Sequence, residues 1–392
     1  MIELPLFFNP IDEDIVLFNS KNFQKSSFGN IFKVHRKDNF PEIEGADIAI
    51  IGINEDRNAI ENKGCGLAPD YVRHKLYSLF AAKENIKIVD LGNLRNGHQI
   101  TDTYIALSEI MAHLLEFNIV PIIIGGSQDL TFSMYKTYEK IKRVANIVSV
   151  DSRFDIGSED TPLNAQAYLS KIILEQPNYL FNYTNIGYQT YFVDQDSIEL
   201  MNNLYFDAYR LGNVRADMQE IEPIMRNSDL VSIDTGCIRQ ADFPANYYAS
   251  PNGFTGDEIC KITRYAGISD KVSSIGFFEY NPMLDQNKQS AHLIAQMIWY
   301  FIEGFYNRKQ DYPNLSKDHY IKYFVSIQEG LYDIKFFKSK KTDRWWMEVP
   351  YPIDKKSRYE RHNIVPCSYK DYETACSDDI PERWWQALKK MV

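Results

Sequence analysis

The stretch Asn146-Ile-Val-Ser-Val-Asp151-Ser-Arg153-Phe-Asp155 sets two carboxylates around a guanidinium. Ile147, Val148 and Val150 have the β-branched richness of a strand buried in a sheet, so Asp151 and Asp155 are expected to project beyond its end. Three other apolar runs end in comparable chemistry. Residues 119–124 lead into Gly125-Gly126-Ser127-Gln128-Asp129, residues 230–234 end on Asp234 and continue to Gly236, and residues 273–278 lead into Glu279 and Asn281. Ligands of open α/β sheets bind beyond the carboxyl ends of the strands, so these residues share one crevice if their strands are neighbours. Carboxylates so gathered ordinarily share a metal ion, because like charges in a crevice otherwise force protonation or repulsion. Arg153 is the anomaly: a guanidinium stays charged, cannot ligate, and occupies or repels a cation's position.

The elements that must position these residues follow from hydrophobic periodicity. Strands are expected over 47–53, 86–91, 119–124, 146–151, 184–188, 230–234 and 273–279. Helical patterns lie between them, including the stripe Tyr104, Ile105, Ile110, Met111, Leu114 and Leu115 and a long segment over 288–306. This alternation predicts a three-layer α/β/α domain with a mostly parallel sheet over 46–306, preceded by a segment, 1–45, packed on its core. Around 307–320 the composition turns polar and the alternation stops, so 307–392 reads as a C-terminal extension. There IKFFKS and WWMEVP flank the turn KKTD as a hairpin, and DDIPERWWQALKKMV reads as a terminal helix. Trp345, Trp346, Trp384 and Trp385 lie in this extension; docking onto the main domain is the favoured reading, a ligand-binding surface the other.

Composition narrows the class. The chain has 392 residues, a net charge of −10 and a pI near 5.3, so nucleic acid and anionic membrane are not its expected partners. No apolar run is long enough to span a bilayer, and the beginning lacks a basic n-region, which points to the cytoplasm. The five cysteines are scattered without a CxxC pair, as packing residues in a reducing compartment would be.

Taken together, Gly125-Gly-Ser-Gln-Asp129, Asp151-Ser-Arg-Phe-Asp155 and Ser232-Ile-Asp-Thr-Gly236 resemble the GGDHS, DAHxD and SxDxD segments of the ureohydrolases, the family of arginase, agmatinase and formimidoylglutamase. NKGCGLAPDYVR (62–73), VDLGNL (89–94) and GFFEYNP (276–282) are similar to further segments of that family. SIDTGCIRQADFPANYYASPNGF is most similar to the formimidoylglutamase branch. The resemblance covers roughly residues 45 to 305 and implies an arginase-like fold and hydrolysis of guanidino or formimino groups by a manganese pair. It also implies ligands at positions 128, 151, 153, 155, 234 and 236. Asp151, Asp155 and Asp234 match aspartate ligands and Glu279 the glutamate of the substrate pocket, but Gln128 and Arg153 replace histidines and Gly236 replaces an aspartate. All seven histidines lie outside these segments.

Two manganese ions make hydroxide from a bridging water only if enough ligands hold them. The expectation is therefore a protein without the dinuclear site and with no metal cofactor, and with no confident catalytic residue beyond a relic pocket at Glu279. It would act by binding, or in a structural or regulatory role. Arg153 is expected to stand in for the metal by neutralising Asp151, Asp155 or Asp234, with a solvent-facing side chain as the alternative. Gln128 reads either as a contact to Asp151 or as a polar residue at a helix start, and Glu279 either as a relic or as a working substrate contact. The binding set is thus Gln128, Asp151, Arg153, Asp155, Asp234 and Glu279, for a small amidine or amino-acid-like ligand. The rival expectation is an active hydrolase of linear amidines with an unusual or single-metal site, holding manganese on Asp151, Asp155 and Asp234. The family commonly forms oligomers, so self-association is compatible with either reading.

Overall fold

The computed structural model describes residues 3–17, 23–83, 85–313, 319–352 and 360–391. In chain order the strands of the main sheet are β1 (Phe8–Asn9), β2 (Lys33–Val34), β3 (Ile48–Ile53), β4 (Ile88–Leu94), β5 (Val120–Ile124), β6 (Ala145–Val150), β7 (Leu180–Tyr188), β8 (Asp207–Arg210), β9 (Leu230–Asp234) and β10 (Ser274–Phe278). Among the described residues they form one sheet in the order β1-β4-β3-β5-β10-β9-β6-β7-β8, with β2 also on β4. Every pairing is parallel except that of β1 with β4.

Strands β3 and β5 are apolar throughout because both of their faces are covered. Every residue of β3 and β5 is buried. Ile48 and Ile50 of β3 enter the core on one face, beneath helices Ala68–Leu76, Gly256–Gly267 and Gln289–Phe305. Ala49, Ile51 and Ile53 enter the core on the other, beneath Ile100–Glu116, Leu130–Lys140 and Tyr168–Leu174. The three-layer α/β/α architecture with a mostly parallel sheet is thus present, and all seven expected strands are found within a few residues of their expected bounds. β1, β2 and β8 were not expected; two are only two residues long, and β8 (DAYR) lacks a run of apolar residues.

The C-terminal region holds more than the expected hairpin and helix. β12 (Tyr332–Ser339) and β13 (Trp345–Glu348) form that hairpin, but β11 (Tyr320–Ile327) and β14 (Ile364–Cys367) extend it to an antiparallel sheet in the order β11-β12-β13-β14. Helices Tyr369–Cys376 and Glu382–Met391 accompany it, and Ile327, Ile334, Phe336, Met347 and Trp384 form its core. Trp345, Trp346 and Trp384 are buried and Trp385 is half-buried, and Trp345 and Trp384 pack in the core of this small sheet itself, where docking onto the main domain was expected. Arg226 of the main domain holds this sheet, donating to the carbonyls of Trp345 (2.9 Å) and Cys367 (3.2 Å) and lying over the Trp346 ring at 4.4 Å. No described helix is long and apolar enough to cross a membrane.

Candidate functional site

Strand register carries the expected residues to one place. Ile124, Phe277, Ile233 and Val150 lie side by side across β5, β10, β9 and β6. Asp234 and Asp151 therefore stand one residue beyond that row, and Glu279 two beyond it. Asp151, Asp155 and Asp234 converge, with carboxylate oxygens within 4.8 Å of one another.

These acids are poorly solvated and little compensated. Asp151 and Asp155 are buried, and one oxygen of each, Oδ2, has no hydrogen-bond donor. Burial pushes Asp155 and Asp234 well above the ordinary carboxylate range, and repulsion from Asp151 adds to it. Asp151 also rises through burial, partly offset by a bond shared with Asp155, by the Arg153 backbone N–H, which donates to its Oδ1 at 2.8 Å, and by the Gln128 side chain, the contact to Asp151 expected from sequence. Such a cluster favours a proton held between Asp151 and Asp155. Asp155 (φ +53°) and Glu279 (φ +65°) both have left-handed backbone, a strain of roughly 1–3 kcal/mol each that the surrounding packing must hold.

Glu279 is fixed by a polar cradle. Its Oε1 accepts the Gln128 backbone N–H at 2.9 Å and its Oε2 accepts Asn62 Nδ2 at 2.7 Å. Asn62 and Asn246 both donate to its main-chain carbonyl, at 2.9 and 3.1 Å. Burial raises its carboxyl to about 7, with Asp129 and Asp151 repelling the charge and the bonds from Asn62 and Gln128 opposing the rise. Asp129 turns away from the cluster and accepts the Tyr104 hydroxyl; burial lifts it to about 6. Gly126 (φ +76°) serves the tight turn before Gln128, since a Cβ there would meet Glu55 O at 2.5 Å.

The three replacement positions behave differently from one another. Gln128 is 1% exposed and turns its Nε2 toward the hydroxyls of Ser149 (3.3 Å), Tyr168 (3.4 Å) and Ser232 (3.5 Å), leaving Oε1 without a partner. Gly236 donates its N–H to Asp234 Oδ1 at 2.6 Å, and a Cβ at 236 would stand 3.0 Å from that same oxygen. Arg153 departs from expectation. Among the described residues it forms no ion pair with any acid; its guanidinium lies over the rings of Phe192 (4.7 Å) and Tyr248 (5.1 Å) at the half-buried rim. The neutralising contact expected from sequence is therefore corrected: Arg153 lowers the carboxyls only at a distance, and all three remain raised. The reason is local, because the backbone of Arg153 serves Asp151 while two aromatic faces supply a weakly hydrated cation with a better resting place.

Sequence reasoning also passed over the residues that orient the acids. Asn62, Asn246 and Tyr248 lay inside quoted segments without a role, while Phe192 lay outside them all, and the partner of both rings is set only by the fold. The segments 62–73 and 89–94 meet at Arg73, fully buried and bidentate to Asp90 at 2.8 and 2.9 Å, which ties helix Ala68–Leu76 to β4.

These residues do not fit a manganese pair. Among the described residues the cluster offers three aspartates and no nitrogen ligand, Gln128 is engaged with hydroxyls, Gly236 has no side chain, and Arg153 brings a fixed positive charge to the rim.

A sequence profile of the Arginase family matches residues 46–303. The formimidoylglutamase of Photorhabdus laumondii is 23% identical over 282 residues, which span 68% of this chain and 88% of that protein. The fold is shared with the Trypanosoma cruzi formiminoglutamase with Mn2+ (TM-score 0.64, 18% identity, 72% of this chain and 99% of that one). It is shared likewise with the Bacillus subtilis formimidoylglutamase (TM-score 0.62, 19% identity, 70% and 94%). With motif order, sheet register and more than half of its length in agreement, the chain belongs to the arginase family.

Proposed function

We propose that this arginase-family chain is a binding protein without amidine hydrolase activity, whose crevice takes a small amidine or amino-acid-like molecule. A structural or regulatory role would follow from that binding. One observation carries the reading: at positions 128, 153 and 236 the side chains are committed elsewhere or absent, so no hydroxide-generating pair can be assembled. Asp151 and Asp155, which share a proton and have no other donor to either Oδ2 among the described residues, suit the N–H groups of a cationic head that would take that proton's place, and the guanidinium of Arg153, held on two rings with no acid paired to it among the described residues, suits a carboxylate at the rim.

The test is release of urea or formamide from arginine, agmatine and formimino-glutamate with manganese supplied, alongside calorimetric binding of the same compounds. Background turnover with measurable binding is the expected outcome. A second reading rests on the same two unpartnered oxygens, which with Asp234 form a set of hard ligands for one cation: an active hydrolase of linear amidines with a single-metal site. Turnover that disappears in Asp234→Ala would establish it.

A further inference from the structure

The C-terminal sheet has two unlike edges. β14 faces the main domain, where Arg226 caps the Cys367 carbonyl. β11 pairs with β12 over eight consecutive residues, Tyr320↔Ser339 to Ile327↔Tyr332, with no bulge, and its other side has no strand partner among the described residues. Such an edge presents a row of unpaired N–H and C=O groups, which proteins ordinarily blunt with proline, bulges or several charges. Here Tyr-Ile-Lys-Tyr-Phe-Val-Ser-Ile contains no proline and one charge, Lys322. Phe324 is 70% exposed and Ile321 41%.

We propose that β11 pairs antiparallel with β11 of a second copy of this chain, about a twofold axis at Phe324, joining two four-stranded sheets into one. The register is self-complementary. With Phe324 opposite its own counterpart, Tyr323 meets Val325, Ile321 meets Ile327, and Lys322 meets Ser326, so the two lysines never face each other. Seven residue pairs would form roughly six to eight backbone hydrogen bonds. Burying an exposed phenylalanine against another supplies the apolar contact that the monomer lacks. A strand with one positive charge and no acid offers nothing particular to a basic or an acidic peptide, which favours a copy of itself over a charged partner.

The experiment uses the full chain. Sedimentation velocity should show a dimer that is weakened by at least about tenfold in Phe324→Glu, where two carboxylates would face each other. In a Cys376→Ser background, which removes the exposed native thiol, Phe324→Cys should be joined to its counterpart by a short bis-maleimide. Hydrogen exchange on the unaltered chain should slow within 321–327 as concentration rises. A monomer at all concentrations up to roughly 100 μM overturns the proposal, 100 μM being a scale at which even weak specific complexes form. So does a dimer equally strong in Phe324→Glu, or a dimer of Phe324→Cys whose introduced thiols are not joined. If Phe324→Glu fails to fold, the cross-link and the exchange data decide.

Discussion

Replacing Glu279 with glutamine isolates the electrostatic cost of the crevice. Burial lifts this carboxyl from 4.5 to about 7 in the folded chain. Between those values the folded state keeps a proton that the unfolded state has released. The stability this proton confers is fully present below the unfolded value and is lost as pH rises toward 7. At about 1.4 kcal/mol per unit, the loss is roughly 3 kcal/mol. Glutamine does not titrate, so Glu279→Gln escapes it. The substitution also has a fixed cost: one amide oxygen cannot accept from both Gln128 N and Asn62 Nδ2, and the lost bond is worth about 1–2 kcal/mol at every pH. The variant should therefore be less stable than the parent at pH 5 and gain about 2–3 kcal/mol on it by pH 8. Urea melts of both proteins at pH 5, 6, 7 and 8 read this directly, and losing the Glu279 charge also relieves its repulsion of Asp234, which adds to the gain in the same direction. A constant offset across the series would show that Glu279 is not held protonated by its surroundings, and the picture of an uncompensated acid cluster would fail with it.

Three further outcomes follow from named contacts. Arg153→Leu should cost only about 1–2 kcal/mol, the worth of two partly exposed cation–π contacts; a loss above about 4 kcal/mol would mean that the guanidinium does neutralise the aspartates. Arg226→Met should destabilise by about 3 kcal/mol and make β13 and β14 open to limited proteolysis, since it removes the charged donor from the Trp345 and Cys367 carbonyls; unchanged melting and proteolysis would refute the assigned anchor. Combining Gln128→His, Arg153→His and Gly236→Asp should raise manganese affinity by at least about tenfold, the scale on which even outer partners of a metal act. For this, the Asp234 carboxylate must yield the 3.0 Å approach of the new Cβ, so a folded triple variant with parental affinity would show the motif correspondence to be wrong.

The sheet was legible because parallel strands covered on both faces are written as continuous β-branched runs, of which Ile-Ala-Ile-Ile-Gly-Ile in β3 is typical. β14 was not: Ile-Val-Pro-Cys carries a proline that argues against a strand, and only its place at the end of the small sheet allows it. β11 escaped notice because its pattern mixes polar and aromatic residues and, among the described residues, it pairs with β12 alone. In the crevice, the order of segments located Asp151, Asp155, Asp234 and Glu279, and the register of four adjacent strands then made them neighbours. Side-chain direction was a different matter. The Asn62 contact to Glu279 spans 217 positions, and the rings that hold Arg153 come from the short 3-10 helix Thr190–Phe192 and a turn at Tyr248, so no local pattern could reveal either. Charge reasoning from sequence alone placed the guanidinium on the acids; the fold offered it aromatic faces instead.

Manganese content bears most directly on the proposal that the dinuclear site is lost. The full chain, purified with excess manganese and then dialysed, should carry well below one equivalent per chain by elemental analysis, because three aspartates without nitrogen ligands cannot retain the pair. A retained stoichiometry near one or two per chain, abolished by Asp151→Ala or Asp234→Ala, would contradict that account.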